Sequence, residues 1–218
     1  MLAGIIIKTY TTISQVSFRL QQEKEIAKEA LVLSQVLDNL AQSTTIDYGK
    51  YQSSDLVANN GIVDSLYLKG DNGDEYQISS INTCLTDQEF DEQAEKSEPK
   101  TENQKEETPC QLSLTGTTKD WETSHLLLDG KNFKLSKMQF KIIPFIWKED
   151  LKKNLASDTP KDWKPAFWIL GTLYSHYYNP NKWTNNISLP LQFFFSLQGK
   201  TESLYSIIDE NATQSSEA

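Results

Sequence analysis

Arginine occurs once in these 218 residues, as Arg19, and histidine twice, as His125 and His176. With one guanidinium the chain has little of the bidentate fork chemistry that grips phosphates and carboxylates. Lysine and arginine together number 21 against 30 acids, a net charge of -9. That charge is local: residues 87–107 hold nine acids and three lysines, residues 201–218 hold four acids and no base, and the remainder carries +1. A nearly neutral body offers no basic footprint for nucleic acid. There are only two cysteines, Cys84 and Cys110, with no CxxC and no histidine at ligand spacing, which argues against a zinc centre. No nucleophile elbow, glycine-rich phosphate loop or histidine pair on one helix face is present. Ser124, His125 and Asp129 can be drawn as a triad, yet an adjacent Ser-His pair is common by chance. The carboxylates crowd where the chain looks unstructured, which is poor ground for a preorganised site. These absences argue against an enzyme, a cofactor and a small-molecule substrate.

Long apolar runs are missing too. No stretch approaches the roughly 20 residues needed to span a bilayer, and the start lacks the charged region and cleavage site of a secretory signal. The chain nevertheless opens abruptly in Ile5, Ile6 and Ile7. The reading therefore expects the hydrophobic half of a longer segment to lie upstream of these residues.

What is present begins with a long helix. Residues 1–42 contain no proline and one glycine, Gly4. Apolar residues recur at helical spacing, first as Ile6, Tyr10, Ile13, Val16 and Leu20, then as Ile26, Ala30, Leu33, Leu37 and Leu40. At 1.5 Å per residue such a helix would run on the order of 55 Å, longer than a domain of this size is wide. A coiled-coil stripe is one reading, but the steps of three and four break at Glu23 and Lys24 and no sustained charge pairing flanks the stripe. The preferred reading gives the helix two tasks. Its later residues bury a stripe against the protein's own sheet, and its start enters an apolar medium or a filament core.

Beyond residue 42 the periodicity changes from helical to alternating. Residues 65–69 and 74–78 read as strands around Gly70-Asp71-Asn72-Gly73, an Asn-Gly hairpin signal. A calcium loop there would lack its distal bidentate glutamate, so a plain turn is favoured. Residues 86–109 are almost all polar, with Phe90 the one large apolar side chain. Such a stretch buries too little surface to offset its ordering entropy and reads as a disordered, solvated acidic insertion. Strand patterning resumes at 111–114, 125–128, 133–143, 167–178 and 187–197, and residues 201–218 read as a disordered tail. Helix first and strands afterwards implies an α+β fold, with a long N-terminal helix packed on an antiparallel sheet from a β-rich domain at 43–200. Cys84 and Cys110 bracket the acidic insertion. As a disulfide they would mark an oxidising compartment and contribute roughly 3 kcal/mol in the chain-entropy model; as unrelated thiols they would do neither.

The run Ile13-Ser14-Gln15-Val16-Ser17-Phe18-Arg19-Leu20-Gln21-Gln22-Glu23-Lys24-Glu25, continuing to Leu33-Ser34-Gln35-Val36-Leu37-Asp38-Asn39-Leu40, resembles the helix of bacterial type IV pilin-like proteins, particularly minor pilins and the larger pseudopilins of type II secretion. The strands at 133–145 and 183–194 resemble the late strands of such subunits more loosely. The family's leader, cut after glycine and followed by Phe-Thr-Leu-x-Glu, is absent from this sequence, as is the first half of the hydrophobic helix. Leader cleavage, membrane insertion and the assembly glutamate therefore fall on no residue present. The resemblance implies a filament subunit, with other pilin-like subunits as partners through Ile6, Tyr10, Ile13, Val16 and Leu20. Ile26, Ala30, Leu33, Leu37 and Leu40 would pack on the sheet. It further implies a membrane-held state before assembly and a place in the bacterial cell envelope, either anchored in the inner membrane with an extracytoplasmic domain or in a surface filament. A second reading is a cell-surface module that binds glycan or protein through exposed aromatics. Trp163 and Trp183, in polar loops, are the leading candidates among Trp121, Trp147, Trp168, Tyr174, Tyr177 and Tyr178.

Overall fold

The structure, a computed structural model, describes residues 2–82, 84–96, 109–117, 122–131, 133–143, 165–176, 178–179, 181–182 and 185–198. It opens with one unbroken helix, α1 (Leu2–Ser43), of 42 residues. At 1.5 Å per residue that is about 63 Å. Two short helical pieces follow in chain order, a 3-10 turn at Tyr48–Lys50 and α2 (Ser53–Ala58). A third helix, α3 (Asp87–Lys96), stands between the fourth and fifth strands.

The strands make two antiparallel sheets, where the sequence suggested one. Sheet A joins β1 (Thr44–Ile46), β3 (Ser65–Gly70), β4 (Glu75–Ile81), β5 (Gln111–Thr117) and β6 (Glu122–Leu128) in that order. Sheet B runs from β10 (Ser188–Ser196) through β9 (Ala166–Ser175) and β8 (Gln139–Ile143) to β2 (Ile62–Val63). The short β7 (Phe133–Leu135) pairs with β9 as well. Asp64 is where the chain passes from β2 in one sheet to β3 in the other.

The alternation at 133–143 reads as a single strand, but it is broken. Phe133 to β9 is in register with Ser175, Gln139 with Leu170, and Ser136, Lys137 and Met138 step out of the ladder between them. Ser136 still donates its N–H to the Thr172 carbonyl of β9 at 3.0 Å, whereas the next two residues find other partners: Lys137 N–H donates to the Leu85 carbonyl at 2.7 Å and Met138 N–H to Ser80 Oγ at 3.1 Å. Lys137 Nζ lies 2.6 Å from Asp64. The break thus ties sheet B to the end of β4 and to the corner. Met138 lies over Gly171, where a Cβ would overlap its sulfur.

Inward-facing residues of both sheets and one stripe of α1 form one core. Leu33 and Leu37 of the helix share it with Leu66, Leu68, Ile78 and Leu112 of sheet A and with Phe140, Ile142, Phe167, Ile169 and Leu191 of sheet B. The fold is α+β, with the N-terminal helix against antiparallel sheets.

The acidic insertion departs from expectation. Residues 87–96 form α3 instead of a disordered excursion, and residues 97–108 lie outside the described residues. The tail at 201–218 lies outside them as well.

Candidate functional site

The feature that sets α1 apart is the change in its surroundings part-way along. From residue 5 to residue 18 every side chain is exposed. Ile6 is 64% exposed, Tyr10 73%, Ile13 63%, Val16 41% and Leu20 59%. The polar residues among them are partly satisfied within the helix. Thr9 Oγ1 donates to the Ile5 carbonyl at 2.9 Å, Thr11 Oγ1 to Ile7 at 3.1 Å and Thr12 Oγ1 to Lys8 at 2.9 Å. Hydroxyls tied to the turn below need less from water, which suits a helix that leaves it.

The transition lies at residues 19–26. Arg19 Nε pairs with Glu23 across one turn at 2.8 Å. From residue 5 onward, Gln22 is the first buried residue of the helix. Ser175 Oγ, at the end of β9, donates to Gln22 Oε1 at 2.6 Å, while Gln22 Nε2 is buried with no hydrogen-bond partner among the described residues. Turning the amide over would only move the deficit to its oxygen. Gln22, Glu25, Lys28 and Glu29 of α1, with Phe133, Ser175 and His176, line a cleft of about 300 Å³ at this point.

Past the transition the helix belongs to the body. Ile26, Ala30, Leu33, Leu37 and Ala41 are buried, and Leu40 is partly buried against the same core. The helix end is fastened on both sides. Gln198 N–H donates to the Ala41 carbonyl at 2.8 Å, and Thr44 Oγ1 donates to the Leu40 carbonyl at 2.7 Å.

Cys84 and Cys110 are joined in a disulfide with Cα atoms 4.8 Å apart, across 26 residues of sequence. They stand just beyond the last β4–β5 pair, Ile81 with Gln111, so the bridge clamps the base of the insertion. Gly130 packs against it in the left-handed region at φ +68, and a Cβ there would come within 2.6 Å of the Cys110 carbonyl oxygen. Such a bridge points to an oxidising, extracytoplasmic compartment. No helix among the described residues is long and apolar enough to cross a membrane.

From the clamp, α3 folds back over the outer side of sheet B. Thr86 and Glu89 make a reciprocal cap, with Thr86 N–H donating to Glu89 Oε2 at 2.7 Å and Glu89 N–H to Thr86 Oγ1 at 3.4 Å. The backbone and hydroxyl donors of Thr86 hold the Glu89 carboxyl below its usual range. Asp87 accepts from Thr172 Oγ1 at 3.1 Å and from Tyr174 Oη at 2.9 Å, and Asp91 accepts from Tyr178 Oη at 2.8 Å. Burial first, and then the bond to Asp91, pushes the Tyr178 phenol up to about 12. Tyr174 moves the same way for the same reasons, with Asp87 as its acceptor.

Other candidates stay dispersed. Ser124 and His125 are successive residues of β6 and so face opposite sides of the sheet. Asp129 lies beyond that strand, where its Oδ1 accepts from Lys131 N–H at 3.0 Å. Trp163 and Trp183 lie outside the described residues, as do Trp121, Trp147 and Tyr177. Trp168 is half-buried on β9 and meets Phe194 of β10 at 5.3 Å between ring centroids. A groove of about 730 Å³ runs between Tyr51, Asp55, Asn59, Asp64 and Lys137. Its two lysines are paired, Lys50 with Glu75 at 2.9 Å and Lys137 with Asp64.

Reading the sequence missed Gln22, Ser175, Asp87 and Thr172. For Asp87 a signal existed in Thr86-Asp87-Gln88-Glu89, the pattern of a capping box; for the other three none did. No family model matches this chain, no curated protein matches it, and no solved structure matches it.

Proposed function

We propose that this chain is a structural subunit of an extracytoplasmic filament of the type IV pilus or type II secretion kind, a minor pilin or pseudopilin assembled through α1. One observation carries the reading: a single helix whose residues 26–41 are built into the core while residues 5–20 stand bare, with eight large apolar side chains exposed. Burying each of those would contribute about 1.5–3 kcal/mol, far more than a soluble monomer would leave unused. The disulfide is consistent with a domain held outside the cytoplasm. In this reading the partners are other pilin-like subunits, the membrane holds the chain before assembly, and the cell envelope or its surface is where it works. The role is structural and calls for no catalytic step.

The test is fractionation of cells that produce the full coding region, followed by shearing of the surface. The wild-type chain is expected in the membrane and sheared fractions, and Ile13→Asp is expected to deplete the sheared fraction about tenfold or more. Finding the wild-type chain as a free monomer in the soluble fraction alone would overturn the proposal.

A second reading, a surface that binds glycan or protein, is favoured by the pairing of Trp168 with Phe194, because Phe194 is 51% exposed on the outer side of sheet B. Loss of ligand capture on a glycan or protein array in Trp168→Ala and Phe194→Ala would support it. Unchanged capture in both would remove it.

A further inference from the structure

Sheet B turns one face to the core and the other away from it. Phe140, Ile142, Phe167, Ile169, Leu191 and Phe195 belong to the core, so the residues that alternate with them along each strand face outward. The registers set those outward residues in two neighbouring rows. Lys141 stands beside Trp168 and Trp168 beside Phe194; in the next row Gln139 stands beside Leu170 and Leu170 beside Gln192. Each row crosses three strands and spans roughly 10 Å. Gln139, Gln192 and Phe194 are exposed, while Lys141, Trp168 and Leu170 are half-buried.

The charge of this face has one source. β8, β9 and β10 together hold a single charged residue, Lys141. Among the described residues its ammonium makes no ion pair, and the carboxamides of Gln139 and Gln192 make no hydrogen bond. The carboxylate of Asp87 lies at the other end of the face, on Thr172, roughly 13 Å along β9 from Trp168. An uncommitted cation beside two aromatic rings, with the acids held at a distance, is complementary to an anionic ligand that also carries an apolar side. An extended peptide fits this face poorly. It brings a backbone N–H and C=O with every residue, and the backbone groups of β8 and β9 are committed to their ladders, so two glutamine amides would leave most of the peptide's groups without partners here. A sugar ring lays its C–H face on an aromatic side chain and keeps most of its hydroxyls at the rim, in water or on side-chain amides.

Resting on the second reading above, in which Trp168 and Phe194 mark a binding surface, we propose that the outer face of sheet B takes a glycan that bears carboxylate groups. Its rings lie over Trp168 and Phe194, a carboxylate meets Lys141, and hydroxyls meet the amides of Gln139 and Gln192. The acidic group of the ligand lies at the Lys141 end of the face, away from α3, because Asp87 would repel it at the other end. Lysine suits this task, since a carboxylate on an open face needs a point charge and no bidentate fork.

The experiment titrates the full chain with an oligomer of galacturonic acid and, separately, with its methyl ester, which keeps the rings and their hydroxyls but removes the charge. The result expected is saturable binding, about fivefold tighter for the acid than for the ester at low salt, with the advantage gone at about 1 M salt. Lys141→Gln should bring the acid down to the level of the ester, and Phe194→Ala should weaken both. Unchanged thermal unfolding of each variant shows that the body is intact. No saturable binding of either oligomer, equal affinity for the two, or a preference for the acid that survives Lys141→Gln would overturn the proposal. If the galacturonate does not bind, but Trp168→Ala and Phe194→Ala abolish capture of a neutral glycan or a protein, the anionic class is wrong and the surface reading stands. If neither variant changes the capture of anything, the surface reading itself fails.

Discussion

The two halves of α1 have similar helix-forming sequences and opposite fates. Ile13 and Ile26 are the same residue in the same unbroken helix, yet one is 63% exposed and the other 3%. Backbone hydrogen bonds within the helix hold both halves in shape, so what separates them is only what lies alongside. Beside residues 26–41 stand β9, β10, β1 and β6, with a core waiting to be closed. Nothing of the described body stands beside residues 5–18. A stripe that is satisfied internally and one that is left over differ in energy, and that difference is what the proposed assembly would draw on.

The largest expected effect breaks or upholds this comparison directly. Leu37→Ala should destabilise the folded chain by about 2–5 kcal/mol, because it empties a fully buried position, whereas Ile13→Ala should change denaturant unfolding by less than about 0.5 kcal/mol. Equal costs would mean that the bare half is also packed. Next, replacing Cys84 and Cys110 together by serine should lower the stability of the body by about 3 kcal/mol, while amide exchange in residues 5–18 stays as fast as in the wild type. Slower exchange there in either protein would show a covering the structure lacks.

A smaller effect sharpens where the halves divide. Ser175→Ala removes the bond to the buried Gln22 amide and should cost about 1–3 kcal/mol, whereas the double change Ser175→Ala with Gln22→Leu, which replaces both partners with apolar side chains, should be nearer neutral. If both are silent in thermal unfolding, the helix leaves the sheet further along than Gln22. The smallest effect concerns α3, the helix that docks through polar groups where α1 docks through apolar ones. With the phenols of Tyr174 and Tyr178 raised in the folded state, the stability they confer is whole below the ordinary tyrosine range, near pH 10, and is lost as pH rises above it, through about 12 for Tyr178. Alkaline titration followed by ultraviolet absorbance should show these phenols ionising late, and Asp91→Asn should move Tyr178 to lower pH.

Much of this was legible beforehand, and for local reasons. The long helix shows in forty residues without proline, the hairpin in Gly70-Asp71-Asn72-Gly73, where Gly73 does adopt a positive φ of 84, and the bridge in two cysteines on either side of one insertion. The stripe from Ile26 to Leu37 shows in its spacing, but residues 6–20 have the same spacing and are exposed, so spacing did not say which half is buried. What misled was composition. The acidic insertion looked too polar to order, but α3 is held by carboxylates accepting from Thr172, Tyr174 and Tyr178, partners that lie some 85 residues away in the chain. Average polarity counts what a segment could bury and says nothing about hydroxyls waiting on another element. The break at Ser136, Lys137 and Met138 was hidden for a similar reason, since alternation continues through it and the displacement depends on Leu85, Ser80 and Asp64.

The sequence by itself determined that there is a long N-terminal helix, a set of antiparallel strands after it, and a cysteine pair around an acidic stretch. These rest on periodicity, turn chemistry and spacing, all of them properties of neighbours along the chain. Only the tertiary structure decided that the strands split into two sheets at Asp64, that Gln22 marks the place where the helix meets the body, and that Leu31 and Val32 face away from a core their neighbours fill. Those depend on which surfaces meet across long separations in sequence, and burial is settled by the whole set of contacts at once.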